Sequence, residues 1–380
     1  MNVGDPGMTD GGRRAFIGSF TTAGGPGIVT AALTPDDGAL TVLNSVNGLP
    51  DPSCLALSPD GRTLYAVSET AEGAVAAFRV PGGGDAGDPP EQAGPAVPVH
   101  GDGPTHLCLF AGHVLTANYG SGSITAVPVR RDGSLARSAS GVFPPTGPDP
   151  RPARRPHAHQ VQPDPSGRWA VGVDLGTDSV RVYTLDGGAP ACHREVALRP
   201  GSGPRHLAFH PDGTRAYLLN ERSPTLTVCH WDAAEGALRP LAEIPVLPGV
   251  PSGDAYPSGV AVSPDGRFVW TATRGEDVLS VFAVERGADR PEHADHPVRP
   301  AGSGGTSGSD GTDGAAGLRL TATVPCGGHW PRALTESHGF LYVANERSGD
   351  VTWFAVDPDT GMPRRRGSVP VTAASCVVFG

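Results

Sequence analysis

Six times along the chain a short apolar run meets a tight turn, a second apolar run follows, and a polar residue closes the phrase. The clearest copies are Leu55-Ala-Leu-Ser-Pro-Asp-Gly61 leading to Glu69, Leu207-Ala-Phe-His-Pro-Asp-Gly213 leading to Glu221, and Val260-Ala-Val-Ser-Pro-Asp-Gly266 leading to Arg274. A looser copy, Gln162-Pro-Asp-Pro-Ser-Gly167, leads to Asp174. Two more keep only the turn glycine, Gly112 before Asn118 and Gly339 before Asn345. Proline presets φ at the first corner and glycine takes the left-handed position that follows, so each phrase predicts a β-hairpin. The second runs, such as Thr63-Leu-Tyr-Ala-Val and Phe340-Leu-Tyr-Val-Ala, are short, aromatic and β-branched, as strands are. A third strand follows, as in Val180-Arg-Val-Tyr-Thr-Leu, and a weaker fourth sits near turns such as Asp132-Gly133. Four antiparallel strands per repeat describe a propeller blade.

The turn glycines at 61, 112, 167, 213 and 266 are 51, 55, 46 and 53 residues apart, and the next gap, to Gly339, is 73. The excess falls on the aperiodic Gly/Ser/Asp/His-rich stretch 286–317, read as a disordered surface insertion. Six repeats leave over three N-terminal strands and the C-terminal run Cys376-Val-Val-Phe. Together these predict a seventh blade whose innermost strand comes from the C-terminus, which closes the ring and removes its edges. The expected fold is therefore all-β, a seven-bladed propeller in one domain over 15–380. Residues 1–14, Gly- and Asp-rich with no apolar core, are read as a loose tail rather than a secretory signal.

Composition supports this reading. Gly 54 and Pro 40 in 380 residues suit a turn-rich β protein, and 38% apolar content suffices for cores between sheets. No apolar run approaches the roughly 20 residues of a spanning helix. A net charge of −10 argues against nucleic acid or an anionic membrane as partner. The 29 basic residues are largely arginine, whose planar fork grips carboxylates and phosphates. The six scattered cysteines form no C-x-x-C pair and read as free thiols in a reducing cytoplasm.

In a blade the first strand runs along the central channel and the second runs back beside it. The residue entering the first and the residue leaving the second therefore meet at one mouth. The entry positions follow a proline: Ser53, Thr105, His157, Arg205, Ser258 and Arg332. The exit positions are Glu69, Asn118, Asp174, Glu221, Arg274 and Asn345. Each alone is an ordinary loop residue. Several charges converging on one mouth demand pairing, because buried charge is costly unless compensated. His157, Arg205, Glu221 and Arg274 come from consecutive repeats and can surround one small anionic molecule.

At these residues the chain resembles the lactonase family of seven-bladed propellers, which holds bacterial 6-phosphogluconolactonases and fungal carboxy-muconate lactonising enzymes. The matching phrases include Pro156-His-Ala-His-Gln160, Asp174-Leu-Gly-Thr-Asp178, Gly203-Pro-Arg-His-Leu-Ala-Phe-His-Pro-Asp-Gly213, Asn220-Glu-Arg-Ser223 and Arg274-Gly-Glu-Asp277. The likeness covers about Phe16 to Phe379, interrupted by the insertion. It implies His157, Arg205, Glu221 and Arg274 as site residues and hydrolysis of a sugar-acid lactone without a cofactor. One departure is Ala272, where the family usually has Asn.

Opening a lactone requires an activated water, a stabilised oxyanion and a proton for the leaving alkoxide. Glu221 is the expected base and His157 the proton shuttle. Arg205 and Arg274 would hold the carbonyl oxygen and an anionic substituent, with Arg332 joining that clamp. His159, Asp174, Glu69, Asn118 and Asn345 are expected to support or contact substrate. His157 and His159 face one way on a strand near Asp174, which is suggestive of a metal pair. The entry and exit positions hold no third imidazole, so no metal is expected and His159 reads as a supporting residue. Two other readings use the same residues: a muconate-type lactonising cycloisomerase, or a binding propeller without catalysis.

Overall fold

The computed structural model describes residues 13–82, 88–142, 155–285 and 317–380. Most of the expected tail and insertion, 1–12 and 286–316, lies outside the described residues. The six turn glycines at 61, 112, 167, 213, 266 and 339 all adopt φ between +69° and +80°, the left-handed conformation their turns require. Between these turns the chain builds seven antiparallel sheets arranged in sequence order.

Six sheets have four strands; blade 5, for example, comprises Pro204–Phe209, Arg215–Asn220, Thr225–Asp232 and Ala237–Pro245. Blade 2 departs from the expected pattern, since its outer strand is broken into Glu91–Gln92 and Val97–Pro98, both pairing Ala74–Arg79. In blade 1 the innermost strand is Ala374–Phe379, paired with Arg14–Ser19, so the last strand of the chain closes the ring on the first.

Among the described residues there is no single central core. Buried apolar side chains form seven clusters, each drawn from two neighbouring blades. Trp169 and Val171 of blade 4 meet Leu207, Leu218 and Trp231 of blade 5, for instance. Tyr342 and Val351 of blade 7 meet Ile17 and Val377 of blade 1. Second strands pack on both faces, which is why Phe268–Arg274 is buried along its whole length. The insertion 286–317 joins the third and fourth strands of blade 6. Antiparallel alternation puts the described strand ends that flank it, Val284 and Leu318, on the face opposite the mouth.

Candidate functional site

Backbone register decides which side chains reach the mouth. In six of the seven blades the innermost strand opens with a β-bulge that leaves one residue unpaired: Thr105, His159, Arg205, Ser258, Arg332 and Ser375. A bulge re-aims the side chain it carries. Ser53 holds the corresponding place in blade 2, just before Leu55–Leu57. Six of these seven residues line one central cavity of about 210 Å³.

Blade 4 does not follow the proline rule used to read the sequence. Ala158, not Pro156, pairs with Asp174 in the way that Pro204 pairs with Asn220. His159 therefore occupies the ring position and His157 lies one step further out. The His157 Nδ1 donates to the Tyr119 carbonyl at 2.8 Å and its ring stacks on Tyr119 at 4.5 Å, so Nε2 is the nitrogen left to accept or carry a proton.

A second ring is set by backbone bonds reaching back over each entry. The amides of Glu69, Tyr119, Leu175, Glu221 and Glu346 donate to the carbonyls of Asp51, Gly103, His157, Gly203 and Trp330. Glu69 and Glu221 belong to this second ring, and Arg274, paired with Tyr256, ends the second strand of blade 6 beside them. Asn118, Asp174 and Asn345 sit one residue earlier, and the pleat turns them away from the mouth. Asn118 Nδ2 donates to Ser123 and Thr125, both at 2.9 Å, and Asn345 Nδ2 donates to Thr352 at 3.1 Å. Asn220 makes the same strand-to-strand bonds in blade 5. Asp174 is a loop anchor: it accepts from the amides of His157, Gly176 and Thr177 and is ion-paired to buried Arg181 at 2.8 Å. A Cβ on Gly176 would strike the Arg155 carbonyl, which fixes glycine in this turn.

The charged side chains of the mouth divide into two triads. Glu221 Oε2 lies 3.0 Å from Arg205 Nε and 2.7 Å from Arg274 Nη2. Arg332 lies 3.1 Å from Glu346 and 3.5 Å from Glu69, whose other carboxylate oxygen accepts from Ser53. Glu346 escaped the sequence reading because its neighbour Asn345 looked like the strand-end polar residue. Burial and then the closeness of Arg274 lower the Arg205 pKa to about 9, and Glu221 opposes them only in part. Arg205 also donates to the Ser258 carbonyl, and Arg274 Nε donates to the Tyr256 carbonyl at 3.2 Å. The Arg274 guanidinium stands 5.5 Å from the Trp330 ring, which Arg347 covers at 3.3 Å.

Below this layer the channel holds imidazoles that the sequence reading missed. His106 and His206 follow the ring residues Thr105 and Arg205. The His206 ring lies 5.1 Å from that of His159 and 5.8 Å from that of His106. The signal that could have found them is a polar residue directly after the entry slot, repeated as His106, Gln160 and His206 in successive blades. Burial, reinforced by Arg205, pushes His106 down to about 4 and holds His159 and His206 well below the usual histidine range. Among the described residues no group of three His, Cys, Asp or Glu side chains has metal-holding geometry.

Known proteins share this architecture. The sequence matches the family described as "Lactonase, 7-bladed beta-propeller" over residues 14–297 and 312–379. It is 29% identical over 372 residues to the 6-phosphogluconolactonase of Bacillus subtilis, covering 96% of this chain and 97% of that one. Against the 6-phosphogluconolactonase of Serratia proteamaculans it is 27% identical over 254 residues, 66% of this chain and 72% of the relative. The solved structure of the Pseudomonas aeruginosa periplasmic gluconolactonase PpgL superposes with a TM-score of 0.81 at 28% identity, covering 97% and 98% of the two chains. With its propeller and this match over nearly its whole length, the chain belongs to the seven-bladed β-propeller lactonase family.

Proposed function

We propose that this protein hydrolyses a sugar-acid lactone of the 6-phosphogluconolactone type at the channel mouth. The observation carrying this reading is the single carboxylate oxygen of Glu221 held by both Arg205 and Arg274. Two guanidiniums fixed on one carboxylate are preorganised donors, and an oxyanion forming beside them needs no reorganisation of its surroundings. Both contacts fall on Oε2, so Oε1 is the Glu221 oxygen available to take a proton from an attacking water. Arg205 and Arg274 polarise the lactone carbonyl and bind the anionic substituent, and Arg332 extends the clamp. His157, its Nδ1 committed to the Tyr119 carbonyl, passes a proton through Nε2 to the leaving ring oxygen. His159 lies among these groups as a buried, neutral imidazole.

The names of the Bacillus subtilis and Serratia proteamaculans relatives favour the phosphorylated sugar lactone, and that of the Pseudomonas aeruginosa protein a gluconolactone. The six unpaired cysteines favour a reducing, cytoplasmic setting. The test is hydrolysis of gluconolactone and its 6-phosphate, each corrected for spontaneous opening, by wild type and Arg205→Ala. The expected loss in kcat/KM is about a hundredfold or more. Near-normal turnover by Arg205→Ala on both lactones would remove this reading.

A further inference from the structure

The channel behind the mouth has a chemistry of its own. Its cavity, about 210 Å³, has room for a phosphate group with a few waters, given roughly 30 Å³ per water. The ionisable groups lining it are Arg205, Arg332, His106, His159 and His206, with two thiols and no carboxylate. The thiols Cys54 and Cys376 are kept protonated, because burial pushes both well above their usual range. Glu69, Glu221 and Glu346 reach the two arginines but do not line the cavity.

Four buried atoms of residues lining this cavity make no hydrogen bond: His106 Nδ1, His159 Nδ1, Ser375 Oγ and Arg205 Nε, the last ion-paired to Glu221. His159 is only 6% exposed. An unpaired buried polar atom costs on the order of 1–3 kcal/mol, so a cavity lined by such atoms is built to be filled by something polar. With two guanidiniums and no carboxylate lining the cavity, and neutral imidazoles able to donate, that occupant carries negative charge.

We infer that this channel is a binding site for a small oxyanion, a phosphate or carboxylate group, held by Arg205 and Arg332 with His106 and His159 as its hydrogen-bond partners. The groups facing those imidazoles are Arg205, Arg274, Arg332, His206 and Tyr119, together with the Val161 backbone at His106. Burial, reinforced by the arginines, keeps the imidazoles neutral while the site is empty. A bound anion offsets the arginines' effect on the imidazoles, so the site takes up protons with its ligand, more at pH 6 than at pH 8. The anion comes either from solution or as the charged arm of the lactone proposed above, and only the second source rests on that proposal.

Inorganic phosphate is the probe, titrated calorimetrically into the full-length protein at both pH values. Wild type is expected to bind one phosphate, with proton uptake, and His106→Leu to bind it about tenfold or more weakly. His106→Gln, which keeps hydrogen-bonding capacity but not the titration, should still bind phosphate, with less proton uptake than wild type. Circular dichroism and thermal unfolding confirm that the variants fold. Absence of saturable binding by wild type, or equal binding by wild type and His106→Leu, would overturn the site.

The source is read from kinetics. Competition by phosphate against 6-phosphogluconolactone but not gluconolactone identifies the substrate's own phosphate. Equal inhibition of both identifies a free anion. Wild type that binds phosphate yet opens neither lactone leaves this site standing and discards the lactonase proposal alone.

Discussion

The two arcs of the mouth share an arginine at the entry of one blade and a glutamate at its exit, Arg205–Glu221 and Arg332–Glu346, and differ in the third member, Arg274 against Glu69. Across blades 5 and 6, Arg205–Glu221–Arg274 places one carboxylate between two guanidiniums and carries a formal charge of about +1. Across blades 7 and 2, Glu69–Arg332–Glu346 places one guanidinium between two carboxylates and carries about −1. The first arc holds its cations deep, with Arg205 and Arg274 side chains only 3% and 9% exposed, whereas Arg332 is 19% exposed. A propeller offers the same place many times, so the residue chosen at each blade gives the mouth a direction. In the proposed reaction an anionic lactone entering that field would turn its oxyanion toward Arg205 and Arg274.

The sharpest way to break this comparison is to neutralise one carboxylate on each side. Glu221→Gln should lower kcat/KM for lactone hydrolysis about a hundredfold or more, because it removes the proposed base from the positive arc. Glu69→Gln should stay within about tenfold of wild type, since only the orienting field changes. Steady-state kinetics on both variants decides whether the arcs differ in role or share it.

A smaller effect separates the arcs by stability. Burial raises the proton affinity of Glu69, and Arg332 is the main influence opposing it. Arg332→Ala leaves Glu69 and Glu346 without their shared cation and should cost about 2 kcal/mol at neutral pH, read by denaturant unfolding. The sign follows from proton binding. With its affinity raised, folded Glu69 holds a proton at pH values where the unfolded chain, titrating near 4.5, has released it. Stability therefore falls as pH rises above 4.5, and the difference between Arg332→Ala and wild type should shrink as pH is lowered toward that value. A difference independent of pH would mean that Arg332 acts by packing on Phe20, 4.6 Å from its guanidinium, rather than by charge.

Much of this fold is legible in the sequence because its signals are local. A turn glycine with its proline and aspartate fixes a hairpin whatever surrounds it, and repeated spacing then counts the blades. The C-terminal strand closing on Arg14–Ser19 was readable as the fourth strand that the three leftover N-terminal strands lacked. The mouth was legible only in part, since its register depends on bulges that no short motif announces. Pro156 imitates the entry prolines, yet Ala158 does their work because the blade 4 bulge falls at His159. Asn118 and Asn345 resemble strand-end mouth residues, yet a one-residue step on a pleated strand turns a side chain to the other face. His106 and His206 read as strand interior until the closed ring shows that first strands face a channel.

The central claim is that Glu221 and Arg274 act as one unit on the reacting lactone. A double-mutant cycle of Glu221→Gln and Arg274→Ala, measured as kcat/KM on 6-phosphogluconolactone, tests it most directly. The account predicts strong non-additivity, with the double variant little worse than the poorer single one. Losses that simply multiply would show two independent residues and contradict it.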